Sequence, residues 1–249
     1  MTLRSVVGIF AHPDDETVLA GGLIALLVQQ HSRVHLVSAT HGEGGEMGEP
    51  PVVTNRALLG ATREMELRCA ARTLGASLTV LDYVDPVIGP DEALYAFNAD
   101  FDRLARQFAE IARQQQANLV LTHGADGEYG HPAHRLVHSA VLEGVRRMLP
   151  NVLVYSVAAL VSSIEDRLWN PNEPAHFALD IRPWSETKLA AMECHVSQHA
   201  LFKRRKQLTT VREALRTVES VRRQWPETHG ESPNDDFARL LRTAGAWTP

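Results

Sequence analysis

Ser5-Val6-Val7-Gly8-Ile9-Phe10-Ala11-His12-Pro13-Asp14-Asp15-Glu16 decides how the rest of the chain is read. A short apolar run ends abruptly in a histidine, a proline and three consecutive acids. Such a run, bounded by turn signals, is the pattern of a strand buried on both faces. Helical spacing takes over at 18–30. The His-Pro-Asp-Asp-Glu turn therefore sits where a strand hands over to a helix. In open parallel sheets that carboxyl edge is where ligands bind.

The same alternation continues downstream. Apolar segments at 34–39, 78–81, 118–122, 152–160 and 176–181 read as strands. Helical patterns fall at 56–74, 101–115 and 132–148, then at 184–200, 203–225 and 235–242. Strands separated by helices imply βαβ units, so the fold class is α/β, a Rossmann-like, mainly parallel sheet flanked by helices. No repeat, low-complexity tract or linker interrupts it. Residues 1–249 read as one domain, with C-terminal helices over 203–243 packed on it. Residues 40–54, 82–97 and 161–175 read as surface loops; the first holds Gly42, Gly44, Gly45, Gly48, Pro50 and Pro51, which cannot sustain helix or sheet.

Composition excludes several classes of function. A formal charge of −5 argues against nucleic acid, whose phosphates demand a basic surface. No stretch approaches the roughly 18–20 apolar residues of a membrane span. Met1-Thr2-Leu3-Arg4 runs into the first strand without a signal core, so a cytoplasmic protein is expected. Two cysteines, Cys69 and Cys194, are too few for a disulfide framework or a four-Cys zinc site, and both read as buried small hydrophobes. Lys203-Arg204-Arg205-Lys206, continued by Arg212, Arg216, Arg222 and Arg223, reads as the solvated face of a helix, with an anionic partner as the alternative.

Two constellations carry chemistry. In His12-Pro13-Asp14-Asp15-Glu16 adjacent carboxylates repel one another, and a bound cation removes that penalty. Imidazole with carboxylate suits zinc or a similar divalent ion. Helix capping would account for one or two of the acids but not for His12. The second constellation is Tyr129-Gly130-His131-Pro132-Ala133-His134, after the fourth strand and so at the same sheet edge. Pro132 suits a first helical position, which puts His131 at the cap and His134 on the first turn. Three residues apart, both imidazoles can face one crevice, one as a ligand and the other on a substrate carbonyl. His134-x-x-x-His138 is not a zincin helix, because Arg135 stands where that motif needs glutamate. His138 reads as an ordinary helix residue.

These residues resemble the LmbE-like (PIG-L) N-acetylglucosamine deacetylase family, which includes the deacetylases of mycothiol and bacillithiol synthesis. Ala11 to Glu16 is similar to the family's opening signature, and Tyr129 to His134 to its histidine-bearing motif. Thr40 to Glu46, Arg63-Glu64-Met65-Glu66, and Lys188 through His195, Ser197 and Gln198 extend the likeness over roughly 5–200. The resemblance implies zinc held by His12, Asp15 and His134, with iron(II) as the alternative metal. It implies Asp14 as general base and His131 and Tyr129 on the oxyanion. Arg63 would contact substrate, and Asp85 a sugar hydroxyl. The residues alone leave the roles of Asp14 and Asp15 interchangeable. One departure is Ala133, where the family often has aspartate; its loss is expected to trim tuning of the site without removing the metal.

The implied activity is removal of an N-acetyl group from a small N-acetylglucosaminide by metal-activated water. The implied partners are an amino-sugar substrate and further copies of the chain. Rival readings are a metal-dependent nucleotide-sugar transferase, an amidase for another N-acyl substrate, and a non-catalytic binding protein.

Overall fold

The computed structural model describes residues 3–90, 93–166, 168–204 and 207–249. The opening apolar run is strand β1 (Ser5–Phe10), buried at every position. Strands β2 (Arg33–Thr40) and β4 (Leu119–Thr122) flank it, both parallel to it. Strand β3 (Ser77–Tyr83) extends the sheet beyond β2, and β5 (Leu153–Val157) beyond β4, again in parallel. Strands β8 (Phe177–Asp180) and β9 (Val218–Trp225) complete the order β3-β2-β1-β4-β5-β9-β8, with β9 antiparallel to both neighbours. A small second sheet pairs β6 (Ala159–Leu160) with β7 (Asn170–Pro174).

Helices cover both faces. On one, α1 (Asp15–Gln29), α2 (Leu59–Leu74), α5 (Ser185–Cys194) and α7 (Asp236–Thr243) bury their apolar sides in a shared core. On the other, α3 (Phe101–Gln114) and α4 (Pro132–Met148) do so. The pattern in α3 shows why it forms. Asp100 caps it by accepting from the Arg103 amide, and Leu104, Ala105, Phe108 and Ala112 recur on one helical face. The chain leaves β1 toward β2 and later crosses back to β4 on the opposite side. A crevice opens where the order reverses, beyond the carboxyl ends of β1 and β4. Among the described residues, no helix is long and apolar enough to cross a membrane.

The C-terminal third departs from the sequence reading. No helix spans 203–225: helix α6 (His199–Arg204) is short, and Val218 to Trp225 is strand β9. The Arg and Glu content suggested a helix, but β5 would otherwise be a bare edge, and β9 pairs with it. The basic residues Arg212, Arg216, Arg222 and Arg223 therefore do not share a helix face; Arg205 and Lys206 lie outside the described residues. The helix expected over 184–200 breaks after Cys194, where the backbone of His195 turns out of the helical region. Segment 152–160 is two strands, parted by Ala158 at φ 52°. The cysteines are not separate buried hydrophobes. Packing of α2 against α5 brings Cys69 and Cys194 to a Cα separation of 5.7 Å, and they form a disulfide.

A buried ion pair locks α1 to the sheet. Lys188 of α5 and Glu219 of β9 meet at 2.7 Å, both with essentially no exposure. The Glu219 carboxylate also accepts the amides of Gly22 and Leu23, while Lys188 Nζ donates to the Val18 carbonyl. Glycine is required for this approach: a Cβ at Gly22 would lie 2.6 Å from that of Ile181. Removing one partner of a buried pair strands the other charge. Lys188→Met is expected to cost about 3–5 kcal/mol in urea unfolding, and Lys188→Met with Glu219→Leu to cost less than the single change. A second expectation concerns acid. Burial, helped by Arg222 and Arg223, lowers His176 from 6.5 to about 4, and its Nδ1 accepts the Arg223 amide. A depressed histidine contributes stability that is complete above the unfolded value and lost as pH falls toward the folded one. Denaturation midpoints should fall from pH 6.5 to about 4, and His176→Gln should flatten that slope.

Candidate functional site

The turn after β1 gives its three acids three different partners. The His12 amide donates to Asp15 Oδ2 at 2.9 Å, which folds that carboxylate back beneath His12. Glu16 turns away, accepting from Thr17 Oγ1 and lying 3.0 Å from His195 Nε2. Asp14 begins α1 with φ 100° and makes no side-chain cap, a left-handed conformation that costs an ordinary residue energy. Its carboxylate points instead toward Arg63 Nη2, at 3.4 Å.

The turn after β4 is wound by three left-handed residues, Gly127, Glu128 and Gly130. It brings the buried Glu128 carboxylate beneath two imidazoles. Glu128 Oε2 lies 2.6 Å from His134 Nδ1 and 3.1 Å from His123 Nδ1. Its other oxygen accepts from the Gly124 amide and from Asn170 Nδ2 of β7. Gly124 has to be glycine, since a Cβ there would lie 2.2 Å from the Asn170 amide group. With the Nδ1 protons directed to Glu128, the neutral form of each ring carries a bare Nε2 lone pair. That of His123 accepts the Ala11 amide at 2.9 Å, which occupies both its ring nitrogens.

The lone pair of His134 faces the first turn. His134 Nε2 is 3.3 Å from His12 Nδ1 and 3.4 Å from Asp15 Oδ1, and His12 Nδ1 is 3.3 Å from Asp15 Oδ2. Three buried donor groups thus converge on one point, a set that demands a positive charge. His12 shows the demand: burial lowers its pKa, but Asp85 and Asp15 outweigh burial and raise it to about 9. Two imidazoles and a carboxylate are ligands suited to zinc or iron(II), and the buried cluster fits such an ion: His134 groups with His12 and His131 in one possible donor set and with Asp15 and His123 in another.

Around this cluster stand the other residues singled out from the sequence. His131 caps α4 through its side chain, Nδ1 accepting the Ala133 amide at 3.2 Å. Burial, reinforced by His134 and His12, holds its pKa down at about 2, so the ring is neutral. A neutral ring that accepts at Nδ1 carries its proton on Nε2. In that form Nε2–H can donate a hydrogen bond, and the ring also lies within reach of the cluster as a possible ligand. Burial raises Asp14 to about 6, with Arg63 opposing and Asp15 adding. Tyr129 packs edge-on against His131 and His134 and remains partly exposed. His12, Asp14, Asp15, Arg63, Tyr129, His131 and His134 all line one cavity of about 750 Å³.

Two placements differ in emphasis from the sequence reading. Asp85 is buried, and its Oδ1 sits 3.3 Å from His12 Nε2, on the side of that ring away from the cluster. Arg63 spends its Nη donors on the carbonyls of Gly42 and Pro13 and on Asp14, so it ties two site loops together. Ala133 is fully buried in the apolar core beneath α3 and α4. His138 holds the end of β4 by lying 2.8 Å from the His123 carbonyl. Sequence reasoning passed over His123, Glu128 and Asn170. A glutamate immediately before the Tyr129 motif was the one available signal.

Residues 7–145 match the family profile PIG-L, GlcNAc-PI de-N-acetylase. The chain belongs to the PIG-L family. A 1D-myo-inositol 2-acetamido-2-deoxy-alpha-D-glucopyranoside deacetylase of Corynebacterium efficiens is 37% identical to this member over 161 residues, 58% of this chain and 52% of that protein. The chain spans about half the length of most curated relatives it matches. Among solved structures, N,N'-diacetylchitobiose deacetylase from Pyrococcus horikoshii superposes with a TM-score of 0.61 at 20% identity, covering 91% of this chain and 88% of its own. A 4-carboxy-2-hydroxymuconate hydratase from Pseudomonas putida gives 0.64 at 24%, covering 93% and 99%. The two structural likenesses are of fold, and they span different reactions, so the reaction of this PIG-L member has to be argued from its site.

Glu128 orients His134 in this arrangement, and partners of that kind typically govern metal affinity. Glu128→Gln is expected to weaken zinc binding by about 10–100-fold, measured by competition with a chromophoric chelator.

Proposed function

We propose that this PIG-L member is a metal-dependent N-deacetylase that hydrolyses the acetamide of a small N-acetylglucosaminide. The observation that carries the reading is the meeting of His12, Asp15 and His134 beside a neutral His131 and a carboxylate, Asp14, whose pKa is raised to about 6. The family membership and the deacetylase names of the relatives support it. Zinc, with iron(II) as the other candidate, would be held by His12, Asp15 and His134 and would supply a water acidified from a pKa of about 15.7 to about 7 and polarisation of the acetyl carbonyl.

The chain's own residues do the rest. Asp14, held by Arg63, takes a proton from the attacking water; a base whose pKa lies near the working pH is efficient in that role. As the carbonyl carbon becomes tetrahedral, its oxygen gains negative charge. His131 Nε2–H donates to that oxygen, and Tyr129 closes over the same side. Protonated Asp14 then delivers its proton to the nitrogen as the C–N bond breaks, releasing acetate and a free amine. Asp15 is unavailable as a base, because both its oxygens lie against His12, His123 and His134.

The nucleotide-sugar transferase reading asks for free cations to meet a diphosphate. The arginines lining the cavity are already engaged, Arg63 with Asp14 and Arg204 with Glu46. Acetate release from simple N-acetyl sugars, with no nucleotide added, separates the two.

Asp14→Asn is expected to retain metal by elemental analysis while kcat/KM for acetate release falls by about 10²–10⁴-fold. Asp15→Asn should lose the metal. His131→Gln should keep metal and lose about 10²–10³ in kcat. Metal lost from Asp14→Asn and kept by Asp15→Asn would exchange the two roles.

A further inference from the structure

The cavity is larger and less polar than an acetamido sugar needs. Its volume of about 750 Å³ lies in the range that holds ligands of drug size. The polar residues nearest the cluster come from the turns after β1 and β4 and from α2, with Glu46, Asp85, Gln198 and Arg204 added from other segments. A separate stretch of wall is hydrocarbon: Ile88, Leu94 and Tyr95 from the loop after β3, Leu168 from the segment before β7, and Leu201 and Phe202 from α6. Ile88 and Tyr95 are 41% and 49% exposed and so open to an incoming group, whereas Leu168 and Phe202 are buried. Large apolar side chains left exposed around a binding cavity mark a surface that something covers.

Several polar groups of the lining are paired with one another or with neighbours. Arg204 and Glu46 form a two-pronged pair, both contacts at 2.9 Å. The Gln198 side-chain amide donates to the Glu46 carbonyl and to Ser197 Oγ. A polyhydroxylated substituent entering here would compete with these pairs for hydrogen bonds and would give up water against the apolar side chains, which is unfavourable. An apolar substituent would meet a complementary wall.

We infer that the substrate carries an apolar aglycone on its amino sugar, seated on Ile88, Leu94, Tyr95, Leu168, Leu201 and Phe202 in the cavity that holds the catalytic groups. This rests on the deacetylase reading, and it names the substrate class within it. The contact persists from ground state to transition state, so it lowers KM and leaves kcat little changed.

The test uses the full chain loaded with zinc and four compounds. Three are N-acetylglucosaminides with methyl, hexyl and inositol aglycones; the fourth is the methyl glycoside of N-hexanoylglucosamine. The hexyl glycoside is expected to exceed the methyl glycoside at least about tenfold in kcat/KM, through KM, since each buried methylene is worth roughly fourfold. Ile88→Ser with Leu201→Ser should bring the hexyl-to-methyl ratio toward one, with an unchanged thermal melt showing that the variant is folded. No hexyl advantage, a preference for the inositol aglycone, or an undiminished ratio in the variant overturns the inference. Preference for the N-hexanoyl compound also overturns it, since the wall would then serve the acyl chain. If none of the four releases its acyl group, the deacetylase reading fails. Calorimetric Kd values for the same compounds then decide the inference alone: hexyl about tenfold tighter than methyl supports it, and equal affinities refute it.

Discussion

Two imidazole nitrogens and a carboxylate, all largely buried, meet within 3.4 Å of one another at the cavity wall, and most of the site is arranged around that meeting. Buried lone pairs of this kind repel unless a positive charge lies between them. The fold maintains the arrangement by committing particular polar atoms nearby. Glu128 takes the Nδ1 protons of His134 and His123, the Ala11 amide occupies His123 Nε2, and the Ala133 amide occupies His131 Nδ1. Each histidine is thereby held in one tautomer and one orientation. The position of a proton on a ring, which decides ligand from donor, is set by backbone amides and one carboxylate.

The supports reach well beyond the crevice. Asn170, on the small second sheet, accepts the Glu128 amide and donates to the Val157 and Ala158 carbonyls, so the irregular chain after β5 braces the turn after β4. The start of α1 is held through Glu16 by His195, at the end of α5. Residues of α2 bind the same region, Arg63 through Pro13 and Glu66 through the amide and hydroxyl of Ser197. The disulfide between Cys69 and Cys194 joins these two helices. Helices that look peripheral in sequence thus determine where Asp14 and Glu16 stand.

The cavity divides its work between two kinds of wall. The core of its charged part is built from the turns after β1 and β4, where the strand order reverses and the backbone ends point into a common space, with Arg63 and Asp85 beside them. Its apolar part comes from the long loop between β3 and α3 and from segments after β6. The first is dictated by the fold, and the same fold accommodates a hydratase as readily as deacetylases. The second is free to vary, which makes it the natural seat of substrate choice.

The central parallel sheet was legible because its signal is local. The uncharged run at β1, the helix cap at His131, and Pro132 at a first helical turn each report on a few neighbouring residues. His12, Asp15 and His134 were legible for the same reason: topology puts the ends of β1 and β4 side by side, and the motifs announce themselves. Strand β9 was not, since its residues are as suited to a helix, and only the open edge of β5 and the buried Lys188–Glu219 pair make a strand of them. Pairing of Cys69 with Cys194 depends on how α2 lies against α5, a contact between segments 125 residues apart. Asp85 behind His12 and Glu128 beneath His134 likewise need three-dimensional neighbours before they mean anything. Local pattern was enough to name the donor groups and the edge of the sheet that presents them; their partners, protons and surrounding walls were settled by long-range packing, because hydrogen bonding and burial act between residues that are close in space, however distant along the chain.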